Sequence, residues 1–281
     1  MATAAWETGL LLDEFPYIRL GTGPHNLLVI PGTQVDNADP GFIVTHTYRA
    51  AFAQFARNHT LYLVNRKRNL PPTYSSEDMA ADYVRVLHEI GPARVMGLSA
   101  GGLIAQHVAR QAPELVEKLA LVVAAARLSD EGRRFAMLLI ALAESGRWND
   151  IEAELGAGLF TSPRSQRIMR RVMQIGGKVF VSPPQYGHDF ITTMRADLQF
   201  DSRPWLPTLR VPTLILGGSI DPFFPAPLLH EIADLIPNTT LRIYEGAGHG
   251  LVKLQKRRFE NDVLAFFAPE GVLRVAHGEI K

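Results

Sequence analysis

A mostly parallel β-sheet flanked by helices, with a helical segment inserted late in the sheet, is the fold class the sequence predicts, and three observations predict it. Short apolar runs alternate with helical spacings through the first 124 residues, as strands joined by crossover helices do. The run ending at Met96 passes through Gly97-Leu-Ser-Ala-Gly101 into a stretch with Leu103, Ile104, His107 and Val108 at helical spacing, setting a serine on a strand-to-helix corner. From about Arg127 to Leu209 no strand-like run occurs, and two further strand-like runs follow.

Taken in order, Trp6 to Leu12 and Tyr17 to Leu20 read as an N-terminal antiparallel meander. Gly21-Thr-Gly23 lacks the third glycine of a dinucleotide fingerprint and reads as a turn. Leu27 to Ile30 is too continuously apolar to be anything but a buried strand, and it ends at Pro31-Gly32-Thr33. Tyr48 to Ala56 has helical spacing, and Thr60 to Val64 is the next strand. Arg66-Lys-Arg68 reads as a solvated loop, because neither a glycine cradle nor an aromatic platform accompanies it. Ser75 to Asp78 opens a helix in the manner of a capping box. After the serine corner and its helix to about Gln111, Leu119 to Ala124 is a further strand.

The long strand-free stretch carries Phe135, Leu138, Leu139 and Leu142, then Ile168, Met169, Val172 and Met173, at helical spacings. An insertion of that length packs as a subdomain over the carboxyl edge of the sheet. Val211 to Leu216 resumes the sheet, a helix spans about Pro225 to Ile236, and Thr240 to Tyr244 is the last strand. An amphipathic helix near Val252 to Phe267 turns Leu254, Phe259, Val263, Phe266 and Phe267 inward. The predicted organisation is therefore a core over residues 1–126, a helical cap over 127–209, a second part of the core over 210–268 and a tail over 269–281.

The 281 residues, 47% hydrophobic and 20% charged, suffice for one large domain with a generous core. A formal charge of +1 supplies no global field to recruit nucleic acid or anionic lipid, so neither is an expected partner. The absence of cysteine rules out disulfides, thiolate metal sites and a cysteine nucleophile. No secretory signal and no apolar run near the ~20 residues of a membrane span is evident, so the expected location is the cytoplasm. Monomer and homodimer are both compatible with this composition.

Three residue types needed for acyl transfer then stand just past three strand ends, in the order Ser99, Asp221, His249. With parallel strands, all three ends lie on one edge, where ligands of open α/β sheets bind. A serine hydroxyl needs a base, His249; the Asp221 carboxylate would accept the other ring N–H and hold the tautomer. Backbone N–H groups of Thr33 and Ala100 are the candidate oxyanion donors. Phe223 and Phe224, beside Asp221, either line a substrate pocket or only pack. Glu245 and Asp130 are rival acids, and the other eight histidines lack a strand-end context. No metal spacing or cofactor motif appears, so no metal and no cofactor are expected.

Leu27 to Thr33, Gly97 to Gly102, Val211 to Asp221 and Gly246 to His249 together resemble the successive blocks of an α/β-hydrolase with a helical cap, from about Trp6 to Ala268. The resemblance implies hydrolysis through an acyl-enzyme on Ser99. Many members of that family have His-Gly where this chain has Pro31-Gly32, and the glycine run of hormone-sensitive-lipase-like esterases is absent. Serine at the nucleophile position argues against the haloalkane dehalogenases, epoxide hydrolases and dienelactone hydrolases of the family. A small-molecule carboxylic ester of small or medium acyl size is the leading substrate; acyl transfer, carbon–carbon bond hydrolysis and perhydrolysis use the same three residues. A ligand-binding receptor on this fold is the reading from another class.

Overall fold

In a computed structural model that describes residues 5–180 and 183–268, eight strands form one sheet in the order β1-β2-β4-β3-β5-β6-β7-β8. They are β1 (Trp6–Leu11), β2 (Phe15–Leu20), β3 (His25–Ile30), β4 (His59–Val64), β5 (Ala93–Leu98), β6 (Val116–Val122), β7 (Thr213–Gly218) and β8 (Thr239–Tyr244). β1 and β2 form the antiparallel meander, β2 meets β4 antiparallel, and the remaining pairings are parallel. β5 and β7 are buried along almost their whole length because helices cover both faces. The predicted tail from Pro269 to Lys281 lies outside the described residues.

Helices α1 (Phe42–Phe52), α2 (Ser76–Ile90), α3 (Ala100–Gln111), α4 (Asp130–Glu144), α5 (Trp148–Gly158), α6 (Pro163–Phe180), α7 (Gly187–Gln199), α8 (Ala226–Leu235), α9 (Leu251–Leu254) and α10 (Lys256–Phe267) complete the described chain. The capping box at α2 forms as read: Ser75 Oγ accepts from Asp78 N–H, and the Asp78 carboxylate accepts from Ser75 N–H. α4 to α7 lie between β6 and β7, with a small core of their own around Leu139, Ile151, Phe190 and Met194. No helix among the described residues is long and apolar enough to cross a membrane.

Several boundaries differ from the sequence reading, each for a local reason. α1 begins six residues before Tyr48, where exposed Phe42, Ile43 and Val44 hide an amphipathic pattern. β6 runs from Val116 to Val122, because Val123 takes a positive φ of 47° that ends the strand. β7 begins after Pro212, which has no N–H to donate to a ladder. The last helix breaks at Gln255, leaving Leu254 61% exposed instead of inward. The basic triplet is no solvated loop either: Arg66 is buried, Lys67 pairs with Asp82 and Tyr74, and Arg68 pairs with Asp39.

His107 on α3 is buried between Phe200 and Trp205, and its Nδ1 has no hydrogen-bond partner among the described residues. Burial pushes its imidazole down to about 4. Across roughly pH 4 to 6.5 the unfolded chain therefore takes up a proton that the folded chain refuses. This group's contribution to stability is complete above pH 6.5 and falls by up to about 3 kcal/mol as pH drops to 4. Urea unfolding at pH 7 and pH 4.5 should show a smaller acid loss for His107→Phe than for the unmodified chain. Equal losses in the two would contradict the assignment.

Candidate active site

The site is built where four strand ends meet. Register pairs Ile30 with Gly97, Leu98 with Val122, Val122 with Leu216 and Gly218 with Tyr244, so the loops after β3, β5, β7 and β8 leave one edge side by side. The turn after β5 is the tightest. Ser99 has φ 52° and ψ −122°, a left-handed conformation that costs a side-chain-bearing residue about 1–3 kcal/mol. Its N–H donates to the Val122 carbonyl, and its own carbonyl accepts from Gly102 N–H. A Cβ on Gly97 would lie 2.6 Å from the Gly101 carbonyl oxygen, and one on Gly101 would lie 2.2 Å from that of Ile30. Both glycines are required for α3 to start directly over the strands.

The loops after β7 and β8 are tied together before they reach the serine. Ile220 N–H donates to the Ala247 carbonyl, and Gly246 N–H donates to Ser219 Oγ. This brings the buried Asp221 carboxylate to His249. One oxygen, Oδ1, accepts from the N–H groups of Phe223 (2.9 Å) and Phe224 (3.3 Å), while Oδ2 lies 2.8 Å from His249 Nδ1. The other ring nitrogen, Nε2, lies 2.9 Å from Ser99 Oγ. The three side chains form one continuous chain of hydrogen bonds.

Phe223 meets the His249 ring edge-on at 4.8 Å, and Phe224 stacks on it at 6.1 Å. Phe224 is 2% exposed and belongs to the main core, so it is seated as a packing residue behind the imidazole. Phe223 is partly buried and stacks on Phe135 of α4, which ties the acid loop to the helical insertion. The insertion also reaches the histidine loop: a Cβ on Gly248 would lie 2.4 Å from Thr161 Cγ2, and one on Gly250 would lie 2.2 Å from the Leu159 carbonyl oxygen. Glu245 and Asp130 are exposed, while Asp221 holds the ring.

Gly32 lies against the elbow, its Cβ direction 3.3 Å from Ser99 Cβ. That places the Pro31-Gly32-Thr33 loop and the start of α3 on the serine's flanks. Beside this loop opens a cleft of about 270 Å³, lined by Pro31, Gln34, Tyr48, Leu63 and Glu152 among others. Burial pushes the Glu152 carboxyl up within it. Among the described residues, no group of three or more His, Cys, Asp or Glu side chains is placed to hold a metal ion. The residue that sequence reasoning missed is Arg66, whose guanidinium Nη1 donates to the Gly32 carbonyl at 3.1 Å. Only the apolar neighbours on both sides of its triplet, Val64 and Leu70, hinted that this loop turns inward.

A strained serine between a parallel strand and a helix, linked through histidine to a carboxylate on later strand ends, defines a hydrolase-type site. The chain belongs to the alpha/beta hydrolase fold family, whose model matches residues 64–254. It is similar to RutD of Stutzerimonas stutzeri, named for carbamate hydrolysis, at 28% identity over 190 residues, covering 64% of this chain and 69% of that one. Among solved structures it resembles MGS-M2, an alpha/beta hydrolase enzyme from a Medee basin deep-sea metagenome library, with a TM-score of 0.77 and 18% identity over 93% of this chain and 97% of that one. The enol-lactonase of Burkholderia xenovorans LB400 matches with a TM-score of 0.73 and 17% identity, covering 93% and 99%. At such identities the two structures speak for the fold alone.

Proposed function

We propose that this chain is a cytoplasmic serine hydrolase that cleaves carboxylic esters of small or medium acyl groups through an acyl-enzyme. The observation that carries the reading is the unbroken link from Ser99 Oγ through His249 to Asp221, at 2.9 Å and 2.8 Å. Ser99 Oγ attacks the ester carbonyl carbon as its proton passes to His249 Nε2. Asp221 keeps the tautomer that leaves Nε2 free to accept, and stabilises the imidazolium. The N–H groups of Ala100 and Thr33 hold the tetrahedral oxyanion, helped by the positive end of α3. The carbon–oxygen bond to the alcohol then breaks, and the imidazolium returns its proton to the departing alkoxide. Water attacks the acyl-enzyme under the same base, releasing the acid and restoring Ser99.

In this reading α4 to α7 act as the cap that limits acyl size, with Phe223 at the boundary between cap and acid loop. The carbamate named for RutD supports a second reading, since its carbonyl carbon suits the same nucleophile. A p-nitrophenyl ester panel of graded chain length, run beside an aryl carbamate, separates the two. A fluorophosphonate should label Ser99, as read by peptide mapping, and turnover should fall beyond medium chain length. A folded protein that takes no label on Ser99 would overturn the proposal.

A further inference from the structure

Arg66 lies just past β4, on the same sheet edge as the loop after β3, because the two strands run parallel with Val29 opposite Leu63. It is 2% exposed, and a buried guanidinium costs several kcal/mol unless its charge is used or compensated. Its Nη1 donates to the Gly32 carbonyl, while Nε and Nη2 have no hydrogen-bond partner among the described residues. The acid that senses it is the buried Asp197 of α7, whose carboxyl burial pushes up to about 7 while Arg66 pulls it down. Beside this pairing with Asp197, the guanidinium makes one hydrogen bond among the described residues, the one from Nη1.

What Nη1 holds is the peptide between Gly32 and Thr33. In a planar trans peptide the C=O and N–H point in opposite directions, so a donor that fixes the Gly32 oxygen also fixes where Thr33 N–H points. Position 32 is tight for a side chain, since a Cβ would lie 3.2 Å from the Leu98 carbonyl oxygen and 3.3 Å from Ser99 Cβ. The glycine that stands there lets the following peptide rotate cheaply. A rotated peptide would present a carbonyl to a developing oxyanion in place of an N–H. A cationic donor on the carbonyl also polarises the amide and strengthens its N–H as a donor.

We propose that Arg66 is a positioning residue that clamps the Gly32–Thr33 peptide so that Thr33 N–H faces the oxyanion formed on Ser99. The inference rests on the serine-hydrolase reading above. Its test compares the unmodified enzyme with Arg66→Met, using p-nitrophenyl acetate for kcat and KM and a trifluoromethyl ketone as an analogue that forms an oxyanion on serine. Arg66→Met should lower kcat about 10²- to 10³-fold, the loss typical of one oxyanion donor, with KM changed less than about threefold. Affinity for the trifluoromethyl ketone should fall by a similar factor, while inhibition by the product alcohol, which makes no oxyanion, stays constant.

Arg66→Met leaves Asp197 buried without its counter-charge. Should it fail to fold, Arg66→Met with Asp197→Asn, compared with Asp197→Asn alone, carries the same comparison. Retention of kcat and of ketone affinity in a folded Met variant would overturn the clamp. So would a loss confined to KM for an acidic ester such as p-nitrophenyl hemisuccinate, which would make Arg66 a carboxylate anchor instead. Fluorophosphonate labelling of the unmodified enzyme separates the two levels: no label on Ser99 removes the serine-hydrolase reading, whereas labelled enzyme with an active Met variant removes only the clamp.

Discussion

Replacing Ser99 with alanine should reduce kcat toward p-nitrophenyl esters by about six orders of magnitude, with near-normal binding of substrate. The proposed chemistry begins with bond formation at Ser99 Oγ, the oxygen that alanine lacks. What remains is the catalysis that the oxyanion donors and binding supply on their own, on the order of 10³-fold over water. The fold should persist, because alanine tolerates the left-handed φ of 52° no worse than serine does, and the main-chain bonds of Ser99 to Val122 and Gly102 do not involve its hydroxyl. Steady-state kinetics alongside far-ultraviolet circular dichroism make the check. Turnover within tenfold of the unmodified enzyme would assign the chemistry to another residue.

Asp221→Asn should cost about 10⁴-fold in kcat. The asparagine carbonyl oxygen can still accept from Phe223 and Phe224 N–H, so the loop keeps its shape. Its NH₂ then faces His249 Nδ1, which must present a lone pair, and the ring proton moves to Nε2. A protonated Nε2 faces Ser99 as a donor and cannot accept the hydroxyl proton. The loss should appear in kcat with KM little altered, and near-normal turnover would show that another carboxylate orients the ring.

Much of this site was legible because its signals are local. Gly97-Leu-Ser-Ala-Gly101 announces a corner that only small residues allow, and the 2.2 Å approach to the Ile30 oxygen shows why Gly101 is one of them. Asp221 and His249 each follow an apolar run with glycines near by, so their place on a strand end could be read without knowing their neighbours. The parallel sheet supplied the rest, since parallel strands bring successive carboxyl ends to one edge.

Arg66 was misread because charge and loop composition point to solvent, whereas its partner, the Gly32 carbonyl, is 34 residues away. Leu254 failed the opposite way: helical spacing turned it inward, yet the break at Gln255 turned it out. Phe223 and Phe224 are adjacent and identical in type, and only the fold separates them, one against Phe135 of the insertion and the other in the core behind His249.

By itself, then, the sequence determined the sheet with its helical insertion and the order of serine, acid and histidine, because periodicity and turn composition are set within a few residues. The tertiary structure alone decided how closely that acid meets the imidazole, how the insertion packs on the histidine loop, and where a buried guanidinium finds a carbonyl. Those depend on distances between residues far apart in the chain, which no local pattern encodes.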